Sequence, residues 1–457
     1  MQYQSINPYT EEPLRAFPLH SDEEIASIVA TAEKTYSADW RLRSFADRRA
    51  IVKRAASLLR DNADAHGKLA TLEMGKLFRE ARSEVMLCAA ILDYFADNAE
   101  ALLAPEKLSP SRGGEAVIES APLGVLFCVE PWNYPYYQLV RVAAPNLMIG
   151  NTVICKHAPS VPQIALAFEK LFLDAGAPRG VWTNVFATNE QAATIIADPR
   201  IRGVALTGSE RAGSAVASEA GLALKKTTME LGGSDPFIVL DDADLETAVK
   251  WAVRGRITNA GQSCIASKRF IIPESIADAF IARFKSALED LKPGDPMDVE
   301  TTLAPLVTEA ALNNALKQID TALNGGAKLL LGGKRLDRRG YFLAPTILVD
   351  VKPDNPAYRL EYFAPVAMIF RVKNDDEAVK LANDSPFGLG ATVITKDIER
   401  GKRIARQIES GMVFINETTT TAPELPFGGV KNSGYGRELS HLGIGEFVNK
   451  KLIRVAA

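Results

Sequence analysis

The run Gly124-Val-Leu-Phe-Cys-Val129 constrains this chain more than any other stretch of it. It is almost continuously apolar, with no alternation of polar and apolar residues. A strand of that kind must be covered on both faces, which is the position of a strand inside a parallel sheet. Strand and helix patterns alternate after it: a strand at Thr152–Lys156, a helix near Gln163–Leu173, a strand at Trp182–Phe186, a helix through Ile195, and strands at Val204–Leu206 and Lys225–Met229. This βαβα order predicts an α/β fold, a doubly wound parallel sheet of Rossmann type with helices on both faces. A second alternating block begins near Pro236-Phe-Ile-Val-Leu240 and continues to about Asn416.

The flanks differ. The first hundred residues read as helices. Ser21 and Glu24 have capping-box spacing, with Ile25, Ile28, Val29 and Ala32 following at helical intervals. A further helix from Phe45 carries Ile51, Val52, Ala55 and Leu59 on one face. Glu115–Ser120 and Glu446–Val455 read as strands outside the two compact blocks. At 457 residues the chain exceeds one ordinary core, so several domains are expected.

Composition narrows the function classes. A net charge of −3 gives no electrostatic footprint for nucleic acid or an anionic membrane. The longest uncharged stretch, Val142 to Cys155, is too short and too interrupted to span a bilayer. Met1-Gln2-Tyr3-Gln4 runs straight into polar sequence without a signal-peptide pattern, and a cytoplasmic location is the expectation. Cys88, Cys128, Cys155 and Cys264 include no Cys-x-x-Cys pair, and the four histidines are scattered, so no metal site is expected.

Four segments carry candidate chemistry. Thr207-Gly208-Ser209, followed by Gly213, lies between a strand and a helix, where backbone can approach a phosphate. Asn133 sits in Pro131-Trp-Asn-Tyr-Pro135, just past the carboxyl end of the apolar strand, where ligand sites gather in open α/β sheets. Cys264 lies in the polar segment Asn259-Ala-Gly-Gln-Ser-Cys264, and Glu230 ends a strand before two glycines. Taken singly, each also fits an ordinary turn, a small buried cysteine or a loop carboxylate.

Together they form one ordered set. Pro131–Pro135, Leu206-Thr-Gly-Ser209, Met229-Glu-Leu-Gly-Gly233, Gly261-Gln-Ser-Cys264, Glu361-Tyr-Phe-Ala-Pro365, Gly411-Met-Val-Phe-Ile-Asn416 and Pro426-Phe-Gly-Gly429 resemble, in order and spacing, the aldehyde dehydrogenase superfamily from about Ile6 to Val455. The resemblance implies a cofactor domain over 1–104 and 123–231, a catalytic domain over 232–432, and oligomerisation segments at 105–122 and 433–457 that build a homodimer or homotetramer. It makes Cys264 the nucleophile, Asn133 with the Cys264 backbone N–H the oxyanion donors, and Glu230 the base that hydrolyses the thioester. The presence of Glu230 sets the chain apart from the CoA-acylating branch. The cofactor, NAD or NADP, would meet Lys156 at the adenosine ribose or its phosphate, Gly208 and Ser209 at the pyrophosphate, and Glu361 and Phe363 at the nicotinamide ribose. Trp132 and Leu231 complete the cofactor-binding positions.

Departures from the family pattern matter. Pro159 stands where NAD-preferring members have Glu and NADP-preferring ones often Ser; without the acid a 2′-phosphate meets no repulsion, and use of both cofactors is the expectation. Val142 replaces a lysine that many relatives carry as a proton relay, and Leu360 replaces an acid. Within the family the chain is most similar to bacterial succinate-semialdehyde dehydrogenases of the short type. Arg141 matches an arginine that pairs with the substrate's distal carboxylate, a role suited to a bidentate guanidinium, and Thr421 could add a hydroxyl. Thr258 stands where some of these enzymes have a second arginine, and Glu424 departs from the usual loop. Glutarate semialdehyde and lactaldehyde therefore stay open as substrates. A non-catalytic scaffold of the same fold and a thiol hydrolase are the alternatives from other classes, although no histidine lies in a motif that would serve a thiol hydrolase.

Some relatives carry a second cysteine two positions after the nucleophile, able to form a reversible disulfide; here that position is Ala266. Peroxide-treated protein is therefore expected to contain no bridge from Cys264 to Cys88, Cys128 or Cys155. Finding one by peptide mapping would overturn this.

Overall fold

The computed structural model describes residues 3–456. Its centre is a six-stranded sheet in the order Gly434–Tyr435, Lys226–Glu230, Ile201–Thr207, Val125–Glu130, Thr152–His157, Trp182–Asn184. All neighbours are parallel except the short Gly434–Tyr435 edge, which runs antiparallel to Met229–Glu230. From Val125–Glu130 the chain winds outward through Thr152–His157 and Trp182–Asn184, then returns to the other side at Ile201–Thr207. The order thus reverses between Val125–Glu130 and Ile201–Thr207, and a crevice opens at their carboxyl ends. Pro131–Tyr134 leaves one of these ends and Gly208-Ser209 the other.

The second block forms a seven-stranded sheet ordered Lys328–Leu331, Thr346–Val349, Val366–Val372, Ser267–Pro273, Asp235–Val239, Thr392–Ile394, Phe414–Ile415. Only its Lys328–Leu331 edge is antiparallel. Asp235–Val239 and Ser267–Pro273 are buried along their whole length, as their apolar character requires of central parallel strands. The third sheet is antiparallel and ordered Val448–Val455, Glu115–Pro122, Glu106–Leu108. Val448–Val455 is an edge strand with Leu452, Ile453 and Val455 exposed.

The helical reading of the amino-terminal region holds for Asp22–Ala38, whose Ser21–Glu24 capping box is formed, and for Phe45–Asp61. It fails before them. Tyr3–Ile6 and Pro13–Phe17 make an antiparallel hairpin. Pro13–Phe17 is exposed at all but its last residue, so no local apolar pattern announces it. Long-range anchoring holds the hairpin instead: the Tyr3 hydroxyl donates to the Ala187 carbonyl at 3.1 Å, and the Tyr3 ring lies 4.6 Å from that of Phe186. Among the described residues no helix is long and apolar enough to cross a membrane.

Gly434 shows how tightly the strand that ends in Glu230 is held. Its φ is +106°, and a Cβ there would collide with the Met229 carbonyl oxygen. Gly434→Ala is expected to lower the thermal unfolding midpoint, at a cost on the order of 3 kcal/mol. A calorimetric midpoint equal to wild type would show that this edge yields freely.

Candidate active site

The site lies where the carboxyl ends of the first sheet meet the start of Ser267–Pro273 in the second. The turn before that strand is unusual. Asn259, Ala260 and Gly261 all have left-handed φ, at +55°, +53° and +74°. Each non-glycine residue in that region costs about 1–3 kcal/mol, so the turn persists only because its surroundings hold it. Asn259 Nδ2 donates to the carbonyls of Asn133 at 2.8 Å and Gln262 at 3.1 Å. The Asn259 N–H donates to Glu80 Oε2 at 3.1 Å, and Arg256 Nη2 donates to the Gly261 carbonyl at 2.8 Å. The Gln262 side chain takes the Val307 N–H at 2.9 Å.

This bracing brings Asn133 and Cys264 together. Asn133 Nδ2 donates one N–H to the Gln262 carbonyl at 3.2 Å, and its Oδ1 accepts from Gln138 Nε2 at 3.4 Å. The second N–H of Asn133 has no partner among the described residues. Glu230 enters from the other side through Gly232-Gly233: a Cβ on Gly233 would lie 2.5 Å from the Cys264 carbonyl oxygen. The two glycines are what allow the strand that ends in Glu230 and the turn that carries Cys264 to touch.

Cys264 is half-buried on the wall of a cavity of about 560 Å³. Arg141, Tyr137, Gln138, Thr421 and Phe427 share that wall. Burial pushes the Cys264 thiol up to about 12; Lys268 and Arg141 pull it down, and Glu361 and Asp235 push it further up. The resting group is therefore a thiol, and attack requires its proton to leave.

Arg141 is fully buried rather than exposed on a helix surface, and it is not free. Its Nε lies 2.6 Å from Glu438 Oε2, and its Nη2 donates to Thr207 Oγ1 at 3.0 Å and to Gln138 Oε1. The guanidinium lies 4.8 Å from the Tyr137 ring centroid and 4.6 Å from that of Phe427. Nη1 has no hydrogen-bond partner among the described residues. Thr421 Oγ1 lies 2.7 Å from the Tyr137 hydroxyl.

Glu230 does not line the cavity beside the thiol. It is buried, with neither carboxylate oxygen hydrogen-bonded, and a Cβ on Gly428 would lie 2.7 Å from its Oε1. Burial and the neighbouring Glu438 hold its pKa well above the ordinary carboxylate range, with Arg141 opposing them. In this conformation the surroundings of Glu230 favour its protonated form.

The residues expected to meet a cofactor line the crevice. Lys156 ends its strand largely buried, and its ammonium forms no hydrogen bond or ion pair with the described residues; burial lowers its pKa. Gly208 N–H is tied to the Glu230 carbonyl at 3.0 Å, while Ser209 caps the helix Glu210–Leu222 through the Ala212 N–H. Gly213 is needed beside them: a Cβ there would lie 2.6 Å from Leu231 Cδ2. Leu231 is tied to the Ser433 carbonyl by its N–H at 3.0 Å. Trp132 meets Phe363 edge-on, with centroids 5.7 Å apart. Glu361 Oε1 accepts the Gly233 N–H at 3.0 Å. The Lys156 ammonium, without a hydrogen-bond or ion-pair partner among the described residues, and the Glu361 carboxylate are groups of the kind that a phosphate-bearing and a hydroxyl-bearing ribose would use.

Sequence reasoning missed several partners. Glu438 and Gln138 carry no chemical signature of their own, and Asn259, although it opens the Cys264 segment, gives no local sign that it braces it. Lys268 did carry one, as a charged residue leading into the apolar run Phe270-Ile271-Ile272.

Comparisons with known proteins identify the family. The family model described as "Aldehyde dehydrogenase family" matches residues 1–453. The succinate-semialdehyde dehydrogenase [NADP(+)] of Deinococcus radiodurans is 48% identical over 452 residues, covering 99% of this chain and 94% of that protein. Among solved structures, Gox0499 superposes with a TM-score of 0.98 at 55% identity, with full coverage of both chains. The succinic semialdehyde dehydrogenase of Streptococcus pyogenes, solved with NADP+, superposes with a TM-score of 0.98 at 46% identity, again covering 100% of each chain. The chain belongs to the aldehyde dehydrogenase family.

Proposed function

We propose that the protein oxidises succinate semialdehyde to succinate with a nicotinamide cofactor, NADP being favoured and NAD usable. The observation that carries this is the Cys264 thiol and the buried Arg141 guanidinium on the wall of one cavity. A substrate with an aldehyde at one end and a carboxylate at the other matches that pair. The relatives named for this activity support the substrate and the NADP preference. So do the free ammonium of Lys156 and the absence of an acid at Pro159.

Cys264 loses its proton and attacks the aldehyde carbon, forming a thiohemiacetal. The Asn133 amide and the Cys264 N–H receive the oxyanion. When bound, the cofactor supplies the hydride acceptor that turns this adduct into a thioester. Glu230, once its own proton has passed to solvent, turns toward the cavity and takes a proton from water; the hydroxide adds to the thioester carbon and succinate leaves, with Cys264 released as the thiolate. Arg141 holds the distal carboxylate through Nη1. Burial raises the pKa of Glu438, which weakens its claim on the guanidinium and leaves charge for the substrate. Glutarate semialdehyde and lactaldehyde are the secondary substrates of the same pocket.

Residues 1–104 and 123–231 form the cofactor domain, 232–432 the catalytic domain, and 105–122 with 433–457 the oligomerisation segments of a homodimer or homotetramer. The exposed apolar side chains on the Val448–Val455 edge support the last assignment. A cytoplasmic location goes with this reading.

The test is kcat/KM for semialdehydes and neutral aldehydes of matched length with each cofactor; equal values for acidic and neutral aldehydes would defeat the substrate assignment. Arg141→Ala is expected to raise KM for succinate semialdehyde about tenfold or more, on the order of 1.5–3 kcal/mol. For an uncharged aldehyde it should change little, and equal effects would remove Arg141 from carboxylate recognition. Glu230→Gln is expected to release one burst of reduced cofactor and then stall at the thioester. Because burial and Glu438 raise the Glu230 pKa and only the carboxylate is a base, wild-type thioester hydrolysis should slow as pH falls, starting at a higher pH than an ordinary carboxylate would give. Steady turnover by Glu230→Gln at the wild-type rate would exclude Glu230 as the base.

A further inference from the structure

Lys268 is one of the most completely enclosed cations in the molecule; its side chain has no exposed surface. An ammonium has three donors and no acceptor, and here each donor has a destination. Nζ donates to the Ser263 carbonyl at 2.8 Å and the Cys264 carbonyl at 2.7 Å, and it lies 3.2 Å from Glu361 Oε1. The first two contacts fix the peptide that carries the nucleophile. The third reaches the carboxylate assigned above to the nicotinamide ribose. Glu361 is itself pinned, by the Gly233 N–H and by Gly232, where a Cβ would collide with Glu361 Oε2.

We propose that Lys268 is a positioning residue that links the cofactor ribose site at Glu361 to the reactivity of Cys264, so that occupancy of the first alters the ionisation of the second. The proposal rests on the cofactor and nucleophile roles assigned above. While Glu361 has only Lys268 and Gly233 as partners, its negative charge offsets much of the ammonium's. Ribose hydroxyls that bond to Glu361 compete for that carboxylate and leave more of the Lys268 charge to act on the nearby Cys264 thiol, which it already favours in the ionised form. In a water-poor site such a redistribution is felt strongly.

The other charged groups here do not reproduce this link. Asp235 opposes the thiolate from the start of its strand, but its oxygens are committed to the Gly390 N–H at 3.1 Å and the Thr419 hydroxyl at 3.3 Å. Arg256 donates to the Gly261 and Val366 carbonyls and leaves Nε unpartnered among the described residues; its charge opposes that of Lys268 and touches neither Glu361 nor the Cys264 carbonyl directly. Arg141 favours the thiolate but is held by Glu438 on the substrate side. Of the cations affecting Cys264, only Lys268 touches both the nucleophile's peptide and Glu361. Burial lowers the Lys268 pKa while Glu361 and Asp235 raise it, so the carboxylate keeps the amine charged.

The test is the pH dependence of Cys264 alkylation by iodoacetamide, with and without saturating NADPH. The reduced cofactor is chosen because its ring carries no positive charge that could itself favour the thiolate. Blocking by the ring would lower the plateau rate, whereas a change in ionisation moves the midpoint. NADPH is expected to shift the wild-type midpoint to lower pH. Lys268→Met should raise the midpoint by about one unit, a tenfold slower alkylation below it, and abolish the shift with NADPH. Lys268→Gln keeps a donor for the carbonyls without the charge, so it tests the same point should the methionine variant fail to fold; it should behave as Lys268→Met. Lys268→Arg, which keeps the charge, should return the midpoint toward wild type. A merely structural lysine would change the melting temperature and leave midpoint and cofactor response alone. Wild-type midpoints and an intact NADPH response in Lys268→Gln would overturn the proposal. Alkylation or turnover that survives in Cys264→Ala would instead overturn the nucleophile assignment itself.

Discussion

A turn held in a conformation it would not keep by itself carries the rest of this site. Asn259, Ala260 and Gly261 are left-handed in succession, and an isolated peptide would relax from that state. Four separate segments oppose the relaxation: the Asn133 loop, the Glu80 helix, Arg256 and Lys268. Each contributes a hydrogen bond to backbone that would otherwise be buried and unpaired, a loss of roughly 1–3 kcal/mol apiece. The turn is therefore as rigid as the packing around it, and the direction of the Cys264 peptide follows from contacts made elsewhere.

The electrostatics have the same character. Glu230, Glu438 and Glu130 are all buried and all pushed toward the protonated state, with Arg141 as the cation that opposes this in each case. An uncompensated carboxylate in such surroundings is costly, and the group responds by holding its proton. The arrangement thus disfavours the charged forms of Glu230 and of the Cys264 thiol alike, so the ionisation of both depends on the charges near them.

The two sheets divide this labour. The first presents Asn133, Glu230 and the phosphate-facing turn from the ends of parallel strands, where the order of strands reverses. The second presents Cys264 at the start of Ser267–Pro273 and brings Glu361 in from a loop. Gly232-Gly233, between Glu230 and Asp235–Val239, is the bridge, and its lack of side chains lets Cys264 and Glu361 pack directly against it.

Much of this was legible in the amino-acid order. Continuous apolar runs announced the parallel strands because burial on both faces leaves no room for alternation. The motifs around Asn133, Glu230 and Cys264 announced the site because glycines and turn residues leave a local imprint. The hairpin Tyr3–Ile6 and Pro13–Phe17 left none, since Tyr3 is held by Phe186 and Ala187 far along the chain and the second strand is mostly exposed. The pairing of Arg141 with Glu438 was equally silent: each residue alone reads as a charged surface group, and only folding places them in contact out of water. The sequence by itself determined the alternation of strands and helices, the family and the candidate reacting groups, because these depend on local pattern and spacing. The tertiary structure alone decided which of those groups are charged, which are already paired, and that Lys268 spans Cys264 and Glu361, because ionisation and hydrogen bonding depend on neighbours that the chain brings together from a distance.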